Sequence, residues 1–388
     1  MNNNLRFSAV VALLATGGAL AQEPEPPQPI QFGLTYTADY IGVIDGGLEQ
    51  RGDYLDNLDV LIDADLDALM GWGGGTLHLH VLNNAGGTPN DFAGTLQGID
   101  NIEVGEQRLR LFEAWIEQAL GESATLRLGL YDLNSEFYAN DAAGLLIGPS
   151  FGIGSELAAT GLNGPSIFPS TALSARLNVT FGEDGFVRLA VLNADARVPG
   201  DPGGADTSFD AGVLMIAEGG IEGARKLSLG LWRYSKDQDD IREVDGFGDP
   251  LGRTAQGLYV TWEEDLNDPE GPQAVRAFVR AGISDGDTTP FAGGWQAGFL
   301  MTRVFESRPD SQLSFGVSHA ILSDGYVDNQ IDAGVPMSRG ELQIELTYSD
   351  TLIDGITVQP DLQWISQPGG DRSIPDALVA GLRVTVEL

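Results

Sequence analysis

Apolar and polar residues alternate with a period of two along most of this chain, the pattern of strands with one apolar face. The sharpest segment sets Leu58, Val60, Ile62, Ala64, Leu66 and Ala68 against Asp59, Leu61, Asp63, Asp65 and Asp67. Comparable alternation runs over 32–40, 77–81, 124–131, 173–181, 275–281, 342–348 and 378–388. Weaker versions occupy 107–119, 186–194, 209–218, 226–235, 255–263, 295–305, 312–322 and 356–366. Together these predict sixteen strands, and no helical period appears among or between them.

The connections fall into two classes that alternate. Those following even-numbered strands, such as 70–75, 120–123 and 182–185, are short. The others, including 41–56, 83–106, 132–169 and 284–294, are several times longer on average. A transmembrane barrel has this asymmetry by construction, with short periplasmic turns and long extracellular loops, whereas a soluble sandwich has no reason for it. The expected fold is therefore all-β: a transmembrane antiparallel β-barrel of 16 strands, apolar outward and polar inward. Tyr36, Phe181, Phe315, Tyr348 and Trp364 are candidates for its aromatic girdles. Sixteen strands enclose an aqueous channel rather than a packed core, which implies a diffusion channel.

The start of the chain sets the compartment. Arg6, the apolar run 10–14 and Ala19-Leu20-Ala21 predict a secretory signal peptide over 1–21. A Pro-rich periplasmic lead-in, 22–29, would follow, and the outer-membrane barrel would occupy 30–388. There is no cysteine, hence no thiolate metal site or disulfide framework. The acid excess, 56 Asp+Glu against 21 Lys+Arg, excludes a nucleic-acid partner, which requires a basic footprint. No G-x-S-x-G elbow, H-E-x-x-H or P-loop occurs, so no enzyme and no cofactor is expected. Asp59, Asp63, Asp65 and Asp67 form an acidic stripe without the tight loop that a Ca²⁺ site needs. His78 and His80 share a strand face, but the sequence offers no obvious third ligand, so no metal site is assigned.

Five stretches carry a family likeness: RLFEAWIEQAL (110–120), LRLGLYDLNSEFY (126–138), SFGIGSELA (150–158), NGPSIFPSTAL (163–173) and VQPDLQWISQPGGDRSIPDALVAGLRVT (358–385). In these the chain resembles the carbohydrate-selective porin family, OprB type. The resemblance implies a Gram-negative outer-membrane barrel passing monosaccharides, glucose-like sugars above all, by passive diffusion. Its surroundings would be lipopolysaccharide and lipid, its folding partner the barrel-assembly machinery, and a homo-oligomer stays open. The chain departs from the usual barrel pattern in ending on Leu388 rather than an aromatic. Porin architecture also implies that the third long loop, 132–169, folds into the lumen and narrows it.

That loop carries Asp132, Glu136, Asp141 and Glu156 and no basic residue. Apolar-out alternation turns Arg127, Arg176, Arg188, Arg276 and Arg280 toward it. Acid on one wall and guanidinium on the other would set a transverse field that sugar hydroxyls tolerate. Trp115, Tyr131, Phe137, Tyr138 and Phe278 are candidates for stacking against pyranose C–H faces, with Glu113 and Asn134 beside them. Simple alternation puts Trp115 inward but sends Arg108 and Arg110 toward lipid, which a β-bulge in 108–118 would relieve. Two other readings remain: a non-selective, mildly cation-preferring general porin, and a secreted acidic β-rich adhesion protein with no channel.

Overall fold

The structure, a computed structural model, describes residues 28–388; the signal-peptide assignment and most of the lead-in lie outside the described residues. The strands are β1 (Ile30–Asp45), β2 (Gly52–Asp65), β3 (Gly75–Gly86), β4 (Leu109–Ala119), β5 (Ala124–Tyr131) and β6 (Ala172–Phe181). There follow β7 (Gly185–Asn193), β8 (Val213–Glu222), β9 (Arg225–Tyr234), β10 (Gln238–Val244), β11 (Pro250–Arg253) and β12 (Gln256–Asp265). The last six are β13 (Ala274–Ser284), β14 (Phe291–Thr302), β15 (Gln312–Leu322), β16 (Gly340–Ile353), β17 (Ile356–Ser366) and β18 (Ala377–Glu387). Sixteen of them close into an antiparallel barrel, while β10 and β11 form a separate ribbon. Closure joins β1 to β18, with Thr35 opposite Glu387 and Val43 opposite Val379. The barrel itself has no unpaired edge, as strands in hydrocarbon require.

The facing of the strands settles inside from outside. In β9, Leu227, Leu229 and Leu231 are 45%, 59% and 58% exposed, whereas Lys226 and Ser228, which alternate with them, are 4% and 2%. Elsewhere Val187, Leu189, Val191, Val260, Leu346 and Leu362 look outward, and Thr261, Gln296, Ser318, Gln343 and Gln363 are buried inward. A lipid-facing apolar belt around a polar interior is the membrane-barrel arrangement. Among the girdle candidates, Phe181 and Trp364 are exposed on the outside.

Sixteen strands were expected, and each has a counterpart in the barrel. Their ends differ instructively. β1 and β2 extend toward each other, leaving only 46–51 between them where 41–56 was expected as a long loop. Likewise 285–290 replaces the expected 284–294. Two of the extracellular connections are therefore as short as the periplasmic turns. β2 ends earlier than its alternation suggests, because Asp65 accepts the N–H groups of Asp67 and Ala68 and caps a single helical turn, α1 (Leu66–Met70). Gly71, at φ 74°, then closes that turn. The chain also contains short helices α2 (Asn90–Ala93) and α3 (Ser155–Ala158), and α4 (Asp324–Asp332) lies within an extracellular loop.

Candidate functional site

The wall facing the third extracellular loop is built by β3 to β6. His80 pairs with Glu113 and Val81 with Leu111, so Phe112 is the extra residue of a β-bulge. With it, Arg110, Phe112, Glu113 and Trp115 all belong to the inner surface. Arg110 is 4% exposed and bonds Asp201 at 2.8 Å rather than meeting lipid. The expected bulge is present. Trp115 lies opposite Gly129. Gly129 sits at φ 141°, and a Cβ there would lie 2.2 Å from the Ala114 carbonyl oxygen and 2.7 Å from the Trp115 Cα. Glycine is thus a steric condition for the place of Trp115.

An ion network grows from this wall. Arg127 and Arg176 are direct cross-strand partners, a like-charge pair that would be destabilising alone. Glu117 and Glu136 compensate them. Arg176, 2% exposed, grips Glu136 through Nε at 2.7 Å and Nη2 at 2.8 Å, and reaches Glu117 at 2.7 Å and Thr125 at 2.7 Å. Arg127 bonds Glu117 at 3.1 Å and lays its guanidinium over Trp115, 3.8 Å from the ring centroid. The Tyr131 hydroxyl donates to Glu136. Burial alone would raise the Glu136 carboxyl; the Arg127 and Arg176 guanidiniums overcome that and hold it below the usual carboxylate range. Glu113 completes the cluster. Its Oε1 accepts the Asp132 backbone N–H at 3.0 Å and the Trp115 indole N–H at 3.2 Å.

From this base the loop crosses the lumen. The Tyr138 N–H donates to Glu218 on β8, 2.9 Å, and the Tyr138 and Gly152 carbonyls accept from Arg280 on β13 at 3.2 and 2.8 Å. On β16, Glu345 accepts the N–H groups of Ile147 and Gly148, and on β17 Gln359 donates to the Leu145 carbonyl at 2.7 Å. The second extracellular loop, 87–108, is drawn in the same way. Glu341 accepts the Leu96 and Gln97 N–H groups at 2.9 and 3.1 Å, and Gln363 donates to the Ile99 carbonyl. Between the two loops a cavity of about 320 Å³ is lined by Gln97, Asn101, Asp132, Asn134, Ser150 and Phe168.

Of the candidate residues, Glu113, Trp115, Arg127, Tyr131, Asp132, Asn134, Glu136 and Arg176 converge on one patch. Five others do not offer the chemistry expected of them. Phe137 and Tyr138 are fully buried, Phe137 in an apolar cluster and Tyr138 stacked on Tyr259 at 3.9 Å, so neither can stack on a sugar; nor can Tyr131, which adjoins the patch through its hydroxyl but whose ring is buried in the same cluster as Phe137. Phe278 is buried beneath Phe151 and Leu146 in the same sense. Arg280 is fully enclosed and holds loop backbone. Arg276 pairs with Glu263 and Asp265 on the adjacent strand, away from the patch. The segregation of acid and base onto opposite walls is also corrected: Glu117, Arg127, Arg176 and Glu136 interleave on one wall. Among the described residues, Asp132, Asp141 and Glu156 form no ion pair. Glu117 was missed, although its place opposite Arg127 in a hairpin joined by 120–123 was a usable signal.

Known proteins share the fold of this chain. The family model for the carbohydrate-selective porin, OprB family, matches residues 49–388. Porin B of Pseudomonas aeruginosa is 22% identical over 400 residues, covering 91% of this chain and 86% of its own. A high-pH structure of Pseudomonas putida OprB superposes with a TM-score of 0.82 at 20% identity, over 93% of this chain and 94% of that one. The outer-membrane channel DcaP of Acinetobacter baumannii reaches 0.56 at 13% identity, over 92% and 97%. With nine-tenths of its length matched by the family model and its strands closed into the corresponding barrel, the chain belongs to the carbohydrate-selective porin, OprB family.

Proposed function

We propose that this outer-membrane porin passes monosaccharides of the glucose class passively and selectively. On this reading the patch around Trp115 and Arg127 is its constriction. The observation that carries the proposal is the guanidinium of Arg127 over the Trp115 ring, 3.8 Å from its centroid, beside the carboxylates of Glu117 and Glu136. Trp115, its ring between Arg127 and His78, fixes the guanidinium in place, and a planar five-donor cation next to acceptors suits vicinal hydroxyls. Asp132 and Asn134, on the cavity between the loops, would receive the sugar before it reaches the patch. The chain acts as a conduit, not an enzyme. Export with cleavage after Ala21, insertion by the barrel-assembly machinery and a lipopolysaccharide surround follow from the leader sequence and the lipid-facing belt.

Planar-bilayer conductance of the purified protein, titrated with glucose, tests this. Saturable block of the ion current is expected, and channels that no sugar blocks would remove the selectivity claim. A second reading, a general diffusion pore with mild cation preference, draws on the formal charge of −35. Reversal potential in a KCl gradient addresses it, and anion preference would exclude it.

A further inference from the structure

His78 and His80 gain in the structure the partner that their sequence does not reveal. The β3–β4 register places Glu113 opposite His80, and both rings turn toward it. His78 Nε2 lies 3.7 Å and His80 Nδ1 3.9 Å from the same Glu113 oxygen, Oε2. All three ligand atoms fall within 4.8 Å of one another. The far nitrogen of each ring is held by a carboxylate from β2: His78 Nδ1 to Asp63 at 2.7 Å and His80 Nε2 to Asp59 at 2.8 Å. That is how metal-ligating histidines are oriented, with the outer nitrogen on an acid and the inner one free for the ion.

We propose that His78, His80 and Glu113 form a lumenal site for a divalent transition metal of the zinc class. Two imidazoles and a carboxylate are a three-ligand zinc set with a fourth position left for water. Imidazole ligands favour such ions over Ca²⁺ or Mg²⁺, which take oxygen. The side chains of the three are 11%, 15% and 12% exposed, so the site is sheltered yet open to the pore. Ligand atoms around a tetrahedral zinc lie roughly 3.3 Å apart, so closure requires movements of only about an ångström. Glu113 divides its labour. Oε1 already anchors the Asp132 N–H and the Trp115 indole, while Oε2 faces the imidazoles. Ligation through Oε2 leaves both anchors intact, and metal occupancy therefore stiffens the base of the third loop. His78 also stacks on Trp115 at 4.7 Å, so the site is directly coupled to the platform of the constriction.

This inference does not rest on sugar transport; failure of glucose block leaves it standing, and its own failure leaves the sugar reading standing. The test is calorimetric titration of Zn²⁺ into the full chain in detergent, without a polyhistidine tag and with excess Ca²⁺ to occupy the acidic surface. One Zn²⁺ per chain is expected to persist in Ca²⁺. It should be lost in His80→Ala and Glu113→Gln and weakened about 10- to 100-fold in Asp59→Asn. His319→Ala, which removes the only other imidazole, should titrate like the parent. Heat-dependent gel mobility identifies folded barrels among the variants. Co²⁺ gives a readout on the unaltered chain: an intense visible spectrum of a four-coordinate ion is expected. Zn²⁺ displaced by Ca²⁺, equal binding by His80→Ala, or only a weak six-coordinate Co²⁺ spectrum would overturn the proposal.

Discussion

Arg127 and Arg176 face each other across the β5–β6 strand pair, yet their loss is predicted to have different consequences. Arg127 reaches the lumen, 13% exposed at its side chain, and shares Glu117 with Arg176. Arg127→Ala removes the guanidinium over Trp115 but leaves Glu117 still bonded to Arg176 at 2.7 Å, so no acid is orphaned. The barrel should fold and melt as before. A sugar hydroxyl would lose a charged donor worth ~1.5–3 kcal/mol, weakening glucose block about 10- to 100-fold. Arg176→Ala strikes a group only 2% exposed. It leaves Glu136, largely buried, with Arg127 no nearer than 4.0 Å, and removing one partner of a buried pair costs ~3–5 kcal/mol. The base of the third loop should then detach. Thermal unfolding with limited proteolysis, read beside bilayer block, separates the two effects. Arg127→Ala with undiminished sugar block would take Arg127 out of the constriction. Arg176→Ala with an undisturbed, protease-resistant loop would refute the ion network as its anchor.

Gly129→Ala should lower the melting temperature and abolish sugar block together, since its Cβ meets Ala114 and Trp115 backbone at φ 141°, a strain of ~1–3 kcal/mol; unaltered melting and block would show that the wall can yield. Arg280→Met leaves the Tyr138 and Gly152 carbonyls without their donor, and single-channel records should show higher, noisier conductance; a quiet channel of parental conductance contradicts the clamp. Glu103, in the second loop, is pushed up to about 7 by burial and the nearby Asp91 and Asp53 carboxylates, against the Asn90 N–H that it accepts. An acid whose folded value exceeds its unfolded one favours the fold when protonated, so this contribution is present below about pH 4.5 and is lost as pH rises through about 7. Protection of 87–108 against hydrogen exchange, taken relative to the intrinsic amide rate at each pH, should therefore fall over that interval in the parent, whereas Glu103→Gln should hold it constant.

The barrel was legible because lipid on one side and water on the other impose a period of two on every strand, and sixteen strands were countable from that alone. Strand ends were not, since β1 and β2 run on through Gly42 and Gly52, where polar and small residues blur the alternation. At the site, the inward placement of Trp115, Arg127 and Arg176 followed from parity, and that of Arg110 from allowing a bulge in the same strand. What parity does not encode is depth. Phe137, Tyr138 and Arg280 are on the correct loop or face, but the folded loop covers them, and its path is set by contacts with strands more than a hundred residues away. The same limit hid Glu113 from His78 and His80: β3 and β4 are joined by the long loop 87–108, and their register, which sets the carboxylate against both rings, is not encoded by parity.

The acidity of the chain acquires a different meaning from the same contacts. A formal charge of −35 suggests a lumen crowded with free carboxylates, yet the inward acids of β8, β12 and β16 are engaged. Glu341 and Glu345 accept pairs of backbone N–H groups, Glu218 takes the Tyr138 N–H and the Tyr259 hydroxyl, and Glu263 holds Asn140 and Arg276. Buried carboxylates with such donors serve as fasteners for two loops whose backbone polar groups would otherwise go unsatisfied inside the barrel. Arginine does the converse at Arg280, donating to carbonyls. Much of the pore wall is thus lined by charged groups matched to backbone donors and acceptors, with the Arg127–Arg176 patch as an ion network beside them. A sugar hydroxyl presents the same donors and acceptors, and a bare ion presents neither. Selectivity for a polar uncharged solute over simple charge preference then follows from the chemistry that holds the loops in place.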